Sequence, residues 1–242
     1  MRAAPPLEIC IDTPQGLRAA AAGGADRVEL CSALGLGGLT PGPGMVAAGV
    51  ASGLPCHAMI RPRAGDFTLR DGDLPAMLAD VAAVRAAGLA GVVIGVALRN
   101  GALDAEALGA LVAAAGAMQV TLHRVFDLTP DPFAALDTAT GLGIARILTS
   151  GQAATAPEGA AMLSRLVAHA AGRIEVMAGG GVTAEAAPAL LATGVDALHA
   201  SCGEVDGAQA DCARIGIAPA RATDAARVAA LKAAMARQAA PA

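Results

Sequence analysis

The chain has no tryptophan, no tyrosine and only three phenylalanines among its 242 residues. Proteins usually hold single-stranded nucleic acids by stacking the bases on aromatic rings, and this sequence has almost none to offer. Its formal net charge of −4 provides no electrostatic attraction to nucleic acids or to anionic membranes either. We therefore expect neither a nucleic acid nor a membrane among its partners.

Signals for export and for organic cofactors are also missing. The first residues contain no apolar run of the kind that a signal peptide needs. The uncharged stretch 30–60 is interrupted by prolines and glycines, so it cannot be one membrane-spanning helix. The five cysteines include no C-x-x-C pair, and without an export signal we expect them to be reduced thiols. These features predict a cytoplasmic protein with no evident organic cofactor.

Short apolar strands alternate with alanine- and leucine-rich helices along the whole chain. Eight βα units of this kind predict the α/β class and a single-domain TIM (β/α)8 barrel spanning residues 1–242. A doubly wound open sheet is the alternative, but no G-x-G-x-x-G motif follows the first strand. The predicted strands are 7–12, 26–31, 56–61, 91–96, 118–124, 145–149, 173–178 and 196–200. The predicted helices include 73–87, 104–115, 131–141, 158–170 and 183–193.

The stretch 203–222 is predicted to be a long loop, followed by a last helix over 223–238. It is rich in alanine and glycine and contains Asp206, Asp211 and Cys212. Loops of about twenty residues are unusual in compact domains and are often functional. In a barrel this loop would lie over the C-terminal mouth, where active sites form.

Two neighbouring strands repeat one chemical pattern, Leu-Glu-Ile-Cys at 7–10 and Val-Glu-Leu-Cys at 28–31. Because side chains alternate between the faces of a strand, each glutamate shares a face with the cysteine that follows it. An unpaired buried charge is costly, so two strands with this pattern indicate a site and not an ordinary core. The same alternation predicts a barrel interior lined by Glu8, Cys10, Asp12, Glu29, Cys31, Met59, Arg61, His123 and His199.

Three of these interior residues carry sulfur and come from consecutive strands: Cys10, Cys31 and Met59. Soft sulfur ligands select Cu(I), or zinc if a nitrogen ligand joins them. The alternative is that the two cysteines are small core residues, since their spacing matches no metal-binding motif. The sequence alone leaves both interpretations open. For Cys56, Cys202 and Cys212 we predict ordinary buried thiols.

Candidates for proton transfer and anion binding lie mainly at the strand ends. His123 ends the fifth strand, where it could act as a general acid or base oriented by a carboxylate. Arg61 and Arg63 either grip a carboxylate or phosphate, or pair internally with Glu29 or Asp66. The glycine run after the seventh strand leads into a helix start and could hold a phosphate. The proton-transfer candidates are Glu8, Glu29, His123 and Asp127, and the anion-binding candidates are Arg61, Arg63, Ser150, Gly179, Gly180, Gly181 and His199.

Several of these residues lie in segments that together resemble the CutC family of copper homeostasis proteins. The resemblance extends over nearly the whole chain, to about residue 202. It implies a cytoplasmic TIM barrel that often self-associates, with a link to copper tolerance. It also implies Cu(I) bound by Cys10 and Cys31. The segments are GADRVELCS at 24–32, GGLTP at 37–41, IRPRAGDF at 60–67, HRVFD at 123–127, RILTSG at 146–151 and MAGGG at 177–181.

The chain departs from the family pattern in three places. Leu36 stands where the family often has an acidic residue, and Leu69 lies near a position that is commonly tyrosine. The loop 203–222 is alanine- and glycine-rich where the family usually carries methionine, arginine and asparagine. Two functions remain as expectations: a copper homeostasis protein that binds Cu(I), or an enzyme acting on a small anionic metabolite. We expect a homo-oligomer in either case.

Overall fold

A computed structural model describes residues 4–205 and 221–239, and its centre is a closed parallel barrel of eight strands. Each strand pairs with the next along the chain, and the eighth pairs with the first. The TIM-barrel prediction is confirmed, and the predicted strand ends differ from the observed ones by a residue or two. The strands are β1 Leu7–Ile11, β2 Arg27–Leu30, β3 Cys56–Met59, β4 Gly91–Ile94, β5 Gln119–Leu122, β6 Arg146–Thr149, β7 Glu175–Gly179 and β8 Ala197–Ala200.

Helices surround the barrel, and most of them start close to where the sequence predicts. The predicted helix 183–193 is shorter in the structure, and α2 was not among the predicted helices. The glycine at position 49 explains why α2 forms despite its composition: a Cβ there would lie 2.5 Å from Leu30 Cδ1, so only glycine lets this helix pack closely on β2. The helices are α1 Pro14–Ala22, α2 Pro43–Ala51, α3 Asp73–Ala87, α4 Ala105–Ala115, α5 Pro132–Gly141, α6 Ala160–Ala170, α7 Ala187–Ala192 and α8 Ala225–Ala239.

The strands bury both faces, as strands of a TIM barrel do. Leu7, Ile9 and Ile11 of β1 belong to the large apolar core between the barrel and its helices. Two separate, smaller apolar clusters belong to the opposite strand face and fill part of the interior. Most of the remaining interior positions are polar, which is unusual for a barrel of this kind. The interior apolar clusters are Cys31, Met59 and Val93, and Leu148, Met177 and Ala197.

The predicted loop 203–222 is wrong at both of its ends. Gly203–Val205 (β9) and Arg221–Thr223 (β10) form a two-stranded antiparallel sheet, in which Arg221 Nη2 also donates to the carbonyl of Gly203 at 2.6 Å. Pairing satisfies backbone groups that a loop would have to leave to water. Residues 206–220 lie outside the described residues, and these include Asp206, Asp211 and Cys212.

Nothing in the described part of the chain resembles a membrane span, because none of its helices is both long enough and apolar enough to cross a bilayer. The last helix instead closes the helical layer. Val228 of α8 is fully buried where this helix meets α1, and the close approach depends on Gly23. A Cβ at position 23 would lie 2.4 Å from Val228 Cβ.

Candidate functional site

A fully buried carboxylate, Glu8, lies near the centre of the barrel interior. One of its oxygens accepts a hydrogen bond from Arg27 Nε, and the other lies 2.8 Å from His199 Nδ1. Register explains these contacts, because Arg27 of β2 and His199 of β8 are the neighbours of Glu8 across the two adjoining strand pairs. Burial alone would raise the pKa of Glu8, but the hydrogen bond from His199 and the charges of His199 and Arg27 hold it below its usual range.

His199 joins this carboxylate to a second group of ligand atoms. A nitrogen of His199, the sulfur of Cys10 and an oxygen of Glu29 all lie within 4.8 Å of one another. Burial disfavours the imidazolium, but the neighbouring Cys10, Glu8 and Glu29 raise the pKa of His199 well above its usual value. We expected His199 to help bind an anion. In the structure its two ring nitrogens lie 2.8 Å from Glu8 and 3.6 Å from Glu29, and anion binding by His199 stays a prediction.

Glu29 is the least satisfied member of this cluster. Its Oε2 lies 3.6 Å from His199 Nε2, whereas its buried Oε1 has no hydrogen-bond partner among the described residues. Burial and the nearby charge of Glu8 raise the pKa of Glu29 to about 7, against the opposing charge of His199. A buried oxygen without a donor is free to take a metal ion or a proton.

The two remaining sulfurs lie beside this cluster. Cys31 lies beside Glu29 and packs against Met59, and both sulfur side chains lie close to the loop at Gly38. A Cβ at position 38 would lie 3.0 Å from Cys31 Sγ. Burial, reinforced by the charges of Glu29 and Cys10, raises the pKa of Cys31 well above its usual value. Cys10 thus belongs to the Glu29–His199 cluster, and Cys31 and Met59 lie together beside it.

Histidine 123 is buried at the barrel mouth, but Asp127 does not orient it. Its Nδ1 accepts a hydrogen bond from the backbone N–H of Val125 at 3.1 Å. Asp127 instead receives hydrogen bonds from the loop after β6 and an ion pair from Arg124. A 3-10 turn over 124–128 produces this difference, because it turns the carboxylate towards β6. The donors to Asp127 are Thr149 Oγ1, the N–H and Oγ of Ser150, the N–H of Gln152 and Arg124 Nε.

The two loop arginines have different surroundings. Arg63 pairs with Asp66 at 2.8 Å and Asp73 at 2.9 Å, so the internal ion pair expected for this loop forms at Arg63. Arg61 pairs with neither Glu29 nor Asp66. Its terminal nitrogens donate only to backbone carbonyls, those of Leu36, Gly38 and Gly65.

The other candidate anion ligands have clear local roles. Ser150 is buried, and its hydroxyl contacts Asp127, Arg124 and the carbonyl of Ala153. Gly180 and Gly181 have φ of +94° and +72°, a conformation that favours glycine. Gly179 must lack a side chain because a Cβ there would lie 2.5 Å from Leu148 Cδ1. Asp12, which strand alternation predicts to face the interior, accepts a hydrogen bond from the N–H of Leu34 at 3.0 Å.

Comparison with known proteins shows the family to which this chain belongs. The CutC family profile matches residues 6–204. The chain belongs to the CutC family. A CutC family protein from Rhizobium meliloti (strain 1021) is 49% identical over 231 residues, covering 94% of each chain. One from Sinorhizobium medicae is 54% identical over 197 residues, covering 81% of this chain and 80% of the relative.

A solved CutC structure supports both the family and the fold. It is CutC from Streptococcus agalactiae, whose name assigns that protein to copper homeostasis. The two structures agree with a TM-score of 0.77 at 32% identity, covering 81% of this chain and 98% of the other. The CutC match contains all eight barrel strands, and so every interior residue described above.

Sequence reasoning missed the polar floor of this CutC barrel. Arg146 is only 2% exposed, and its guanidinium contacts His57 Nδ1 at 3.3 Å, Thr121 Oγ1 at 3.1 Å and Glu175 at 2.9 Å. Burial lowers the pKa of His57 to about 3. The signal was present, because strand alternation places Arg27, His57 and Arg146 on the inward face, but these residues lie at the N-terminal ends of their strands, away from the mouth.

Proposed function

We propose that the protein binds a copper ion inside the barrel as part of copper homeostasis, using Cys10, Glu29 and His199 with Cys31 and Met59 alongside. The observation that carries this proposal is the buried Glu29 Oε1, which has no hydrogen-bond partner among the described residues although it belongs to a cluster of three ligand types. Thiolate, thioether and imidazole are ligands that suit Cu(I). The name of the related Streptococcus agalactiae protein supports copper as the metal.

The surroundings of the cluster fit a cation. The three ligand residues are all buried, and they come from β1, β2 and β8, which are adjacent around the barrel. Glu8 hydrogen-bonds the other ring nitrogen of His199. A hydrogen bond to the ring nitrogen that does not bind the metal fixes the orientation of a ligating histidine, so Glu8 would position His199. Cys31 would join as a thiolate and His199 as a neutral imidazole, and their raised pKa values mean that copper binding must displace a proton from each.

The test is competition against a Cu(I) chelator, with the wild type compared with Cys10→Ser, Cys31→Ser and His199→Gln. We expect each of these changes to weaken Cu(I) binding by at least about tenfold, the lower limit typical of lost ligands and their supports. Cys56→Ser is the matched control, because Cys56 is also a buried thiol but lies in the outer core and contacts the carbonyl of Gly49. Circular dichroism would establish that each variant is folded.

Two results would contradict the copper site. One is an affinity in Cys10→Ser and His199→Gln equal to that of the wild type. The other is weak Cu(I) binding together with tight Zn(II) binding, which would assign the mixed sulfur, nitrogen and oxygen ligands to zinc. Met59→Leu tests the thioether separately, because it preserves the apolar packing against Cys31.

The family resemblance also supports two wider proposals. We propose that the protein self-associates in solution and that it acts in the cytoplasm. Light scattering on a size-exclusion column would measure the mass of the assembly, and a monomer at all concentrations would contradict the first proposal. Fractionation of cells that express the chain would test the second.

A further inference from the structure

The barrel mouth contains a buried cation that no carboxylate of the described residues neutralises. Arg61 is 7% exposed, and its terminal nitrogens donate to the carbonyls of Leu36 at 2.9 Å, Gly38 at 3.1 Å and Gly65 at 2.8 Å. Its Nε has no hydrogen-bond partner among the described residues. Because a buried charge without a counter-charge is costly, Arg61 indicates that an anion comes from outside the protein.

A second buried donor without a partner lies close by. His123 Nδ1 accepts from the N–H of Val125, so the ring proton must be on Nε2 when the imidazole is neutral. Burial, with the charge of Arg61, lowers the pKa of His123 to about 3, and the ring is therefore neutral at physiological pH. Its Nε2–H is buried and makes no hydrogen bond with the described residues.

The phenyl ring of Phe67 connects these two donors. Its centroid lies 4.8 Å from the His123 ring centroid and 4.9 Å from Arg61 Cζ. The backbone of Gly95 supports the imidazole from below, since a Cβ there would lie 2.1 Å from His123 Cε1. A cavity of about 20 Å³ lies on the Arg61 and Phe67 side of the cluster and has room for about one water molecule. Gly95 and the Arg63–Asp66–Asp73 ion-pair group also line it.

We propose that Arg61 Nε and His123 Nε2–H bind a small carboxylate at the barrel mouth, with the ring of Phe67 turning outward to admit it. Two donors match the two oxygens of a carboxylate. One guanidinium balances one negative charge, whereas a phosphate dianion would need a second cation. Arg63 cannot supply that charge, because Asp66 and Asp73 already pair with it. Phe67 lies in the loop between β3 and α3 and is only partly buried, so its ring has a solvent-facing side towards which the proposal requires it to turn.

This site is separate from the copper cluster. Among the described residues, the copper cluster is acidic and leaves an acceptor without a partner at Glu29, whereas the mouth leaves donors without partners at Arg61 and His123. A cation and an anion would therefore bind to different groups of the polar interior. The carboxylate proposal does not depend on copper binding, and His123→Leu should leave the Cu(I) affinity unchanged.

The experiment is a titration of the protein with sodium formate and sodium acetate, followed through the Nε2 resonance of His123 in imidazole ¹⁵N spectra. Sodium chloride at equal ionic strength is the reference. In the wild type and in Arg63→Gln we expect a saturable shift of this resonance. In Arg61→Gln the apparent affinity should fall at least tenfold. Phe67→Ala, which removes the ring from the entrance, should bind acetate more tightly than the wild type does.

Because Arg61 also holds three loop carbonyls, a loss of folding in Arg61→Gln would hide its effect on binding, and His123→Leu provides an independent variant. Thermal shift measures its binding: formate should raise the melting temperature of the wild type and Arg63→Gln but not that of His123→Leu. The proposal is overturned if formate and acetate cause no saturable shift in the wild type, or if Arg63→Gln alone loses binding. Tighter binding of inorganic phosphate than of formate would overturn the assignment to carboxylates.

Discussion

At the scale of single residues, the interior depends most on Glu8. Its carboxylate is fully buried and holds Arg27 with one oxygen and His199 with the other. Glu175 offers a natural comparison, because it also pairs with a buried arginine, Arg146, but is itself about half exposed, at 47%. Water can replace Glu175 as a partner, whereas no water reaches the buried oxygens of Glu8.

We therefore predict that Glu8→Gln lowers the free energy of unfolding by about 3–5 kcal/mol, because it leaves the buried Arg27 and His199 without their anion. Glu175→Gln is the matched control and should cost less than about 1 kcal/mol, as expected for a partly exposed pair. Urea denaturation of the two variants measures both values. Equal losses of unfolding free energy in the two variants would show that burial of the carboxylate does not determine how much it contributes to stability.

At the scale of elements, β4 makes room for the histidines of its neighbours. Gly91 and Gly95 alternate with Val93 on the inward face of this strand segment. The ring of His57 from β3 lies against Gly91, where a Cβ would be 2.8 Å from its Nε2. His123, which follows β5, lies against Gly95 in the same way. Because Gly91 and Gly95 have no side chains, this strand segment accommodates an imidazole at the floor of the barrel and another at its mouth.

From this arrangement we predict that Gly95→Ala destabilises the protein by about 1–3 kcal/mol, the usual cost of overpacking, and displaces the His123 ring. Gly109→Ala is the control, because Gly109 lies inside α4 and its Cβ would only touch Leu142 Cδ2 at an ordinary 3.6 Å. That change should stabilise the helix by about 0.5–1 kcal/mol. Thermal melts should therefore shift in opposite directions, and a neutral Gly95→Ala would contradict the close contact.

At the scale of the whole molecule, the sequence predicts the barrel well because strand and helix patterns are local. The helix α2 cannot be predicted from local patterns, because Gly44 and Gly49 lower its intrinsic helix propensity and its stability depends on packing against β2. The inward direction of Glu8, Cys10 and Glu29 also follows from alternation alone.

The partners within the interior cannot be predicted in this way. Alternation gives the face of a side chain, but not its height in the barrel, which depends on the register between strands. Glu29 lies opposite Cys10 in the β1–β2 register and His199 lies opposite Glu8 in the β1–β8 register, so one metal-type cluster forms across three strands. Asp127 shows the same limit, because it is close to His123 in sequence but its hydrogen bonds are with Thr149 and Ser150.

The stability of the whole protein should also depend on histidines that stay neutral. Burial holds the pKa of His57 and of His123 at about 3, with the charges of Arg146 and Arg61 acting in the same direction. In the unfolded chain a histidine binds its proton near pH 6.5. Between pH 6.5 and 3 the unfolded state therefore holds more protons than the folded state, and each of these histidines makes the protein less stable as the pH falls.

Glu29 has the opposite effect in an overlapping range, because its raised pKa of about 7 means that the folded state holds its proton longer than the unfolded state. The pH dependence of wild-type stability therefore combines the effects of several groups, whereas the difference in stability between the wild type and a variant isolates the effect of one group.

We predict that His57→Gln has a lower free energy of unfolding than the wild type at pH 7. This gap in free energy should shrink by about 1.4 kcal/mol per pH unit between pH 6 and 4. Thr121→Val is the control, because it removes the other acceptor of Arg146 Nη1 without removing a titratable group, and its gap should stay constant. Urea denaturation at a series of pH values measures both gaps, and a constant gap for His57→Gln would show that its imidazole is not held neutral in the folded barrel.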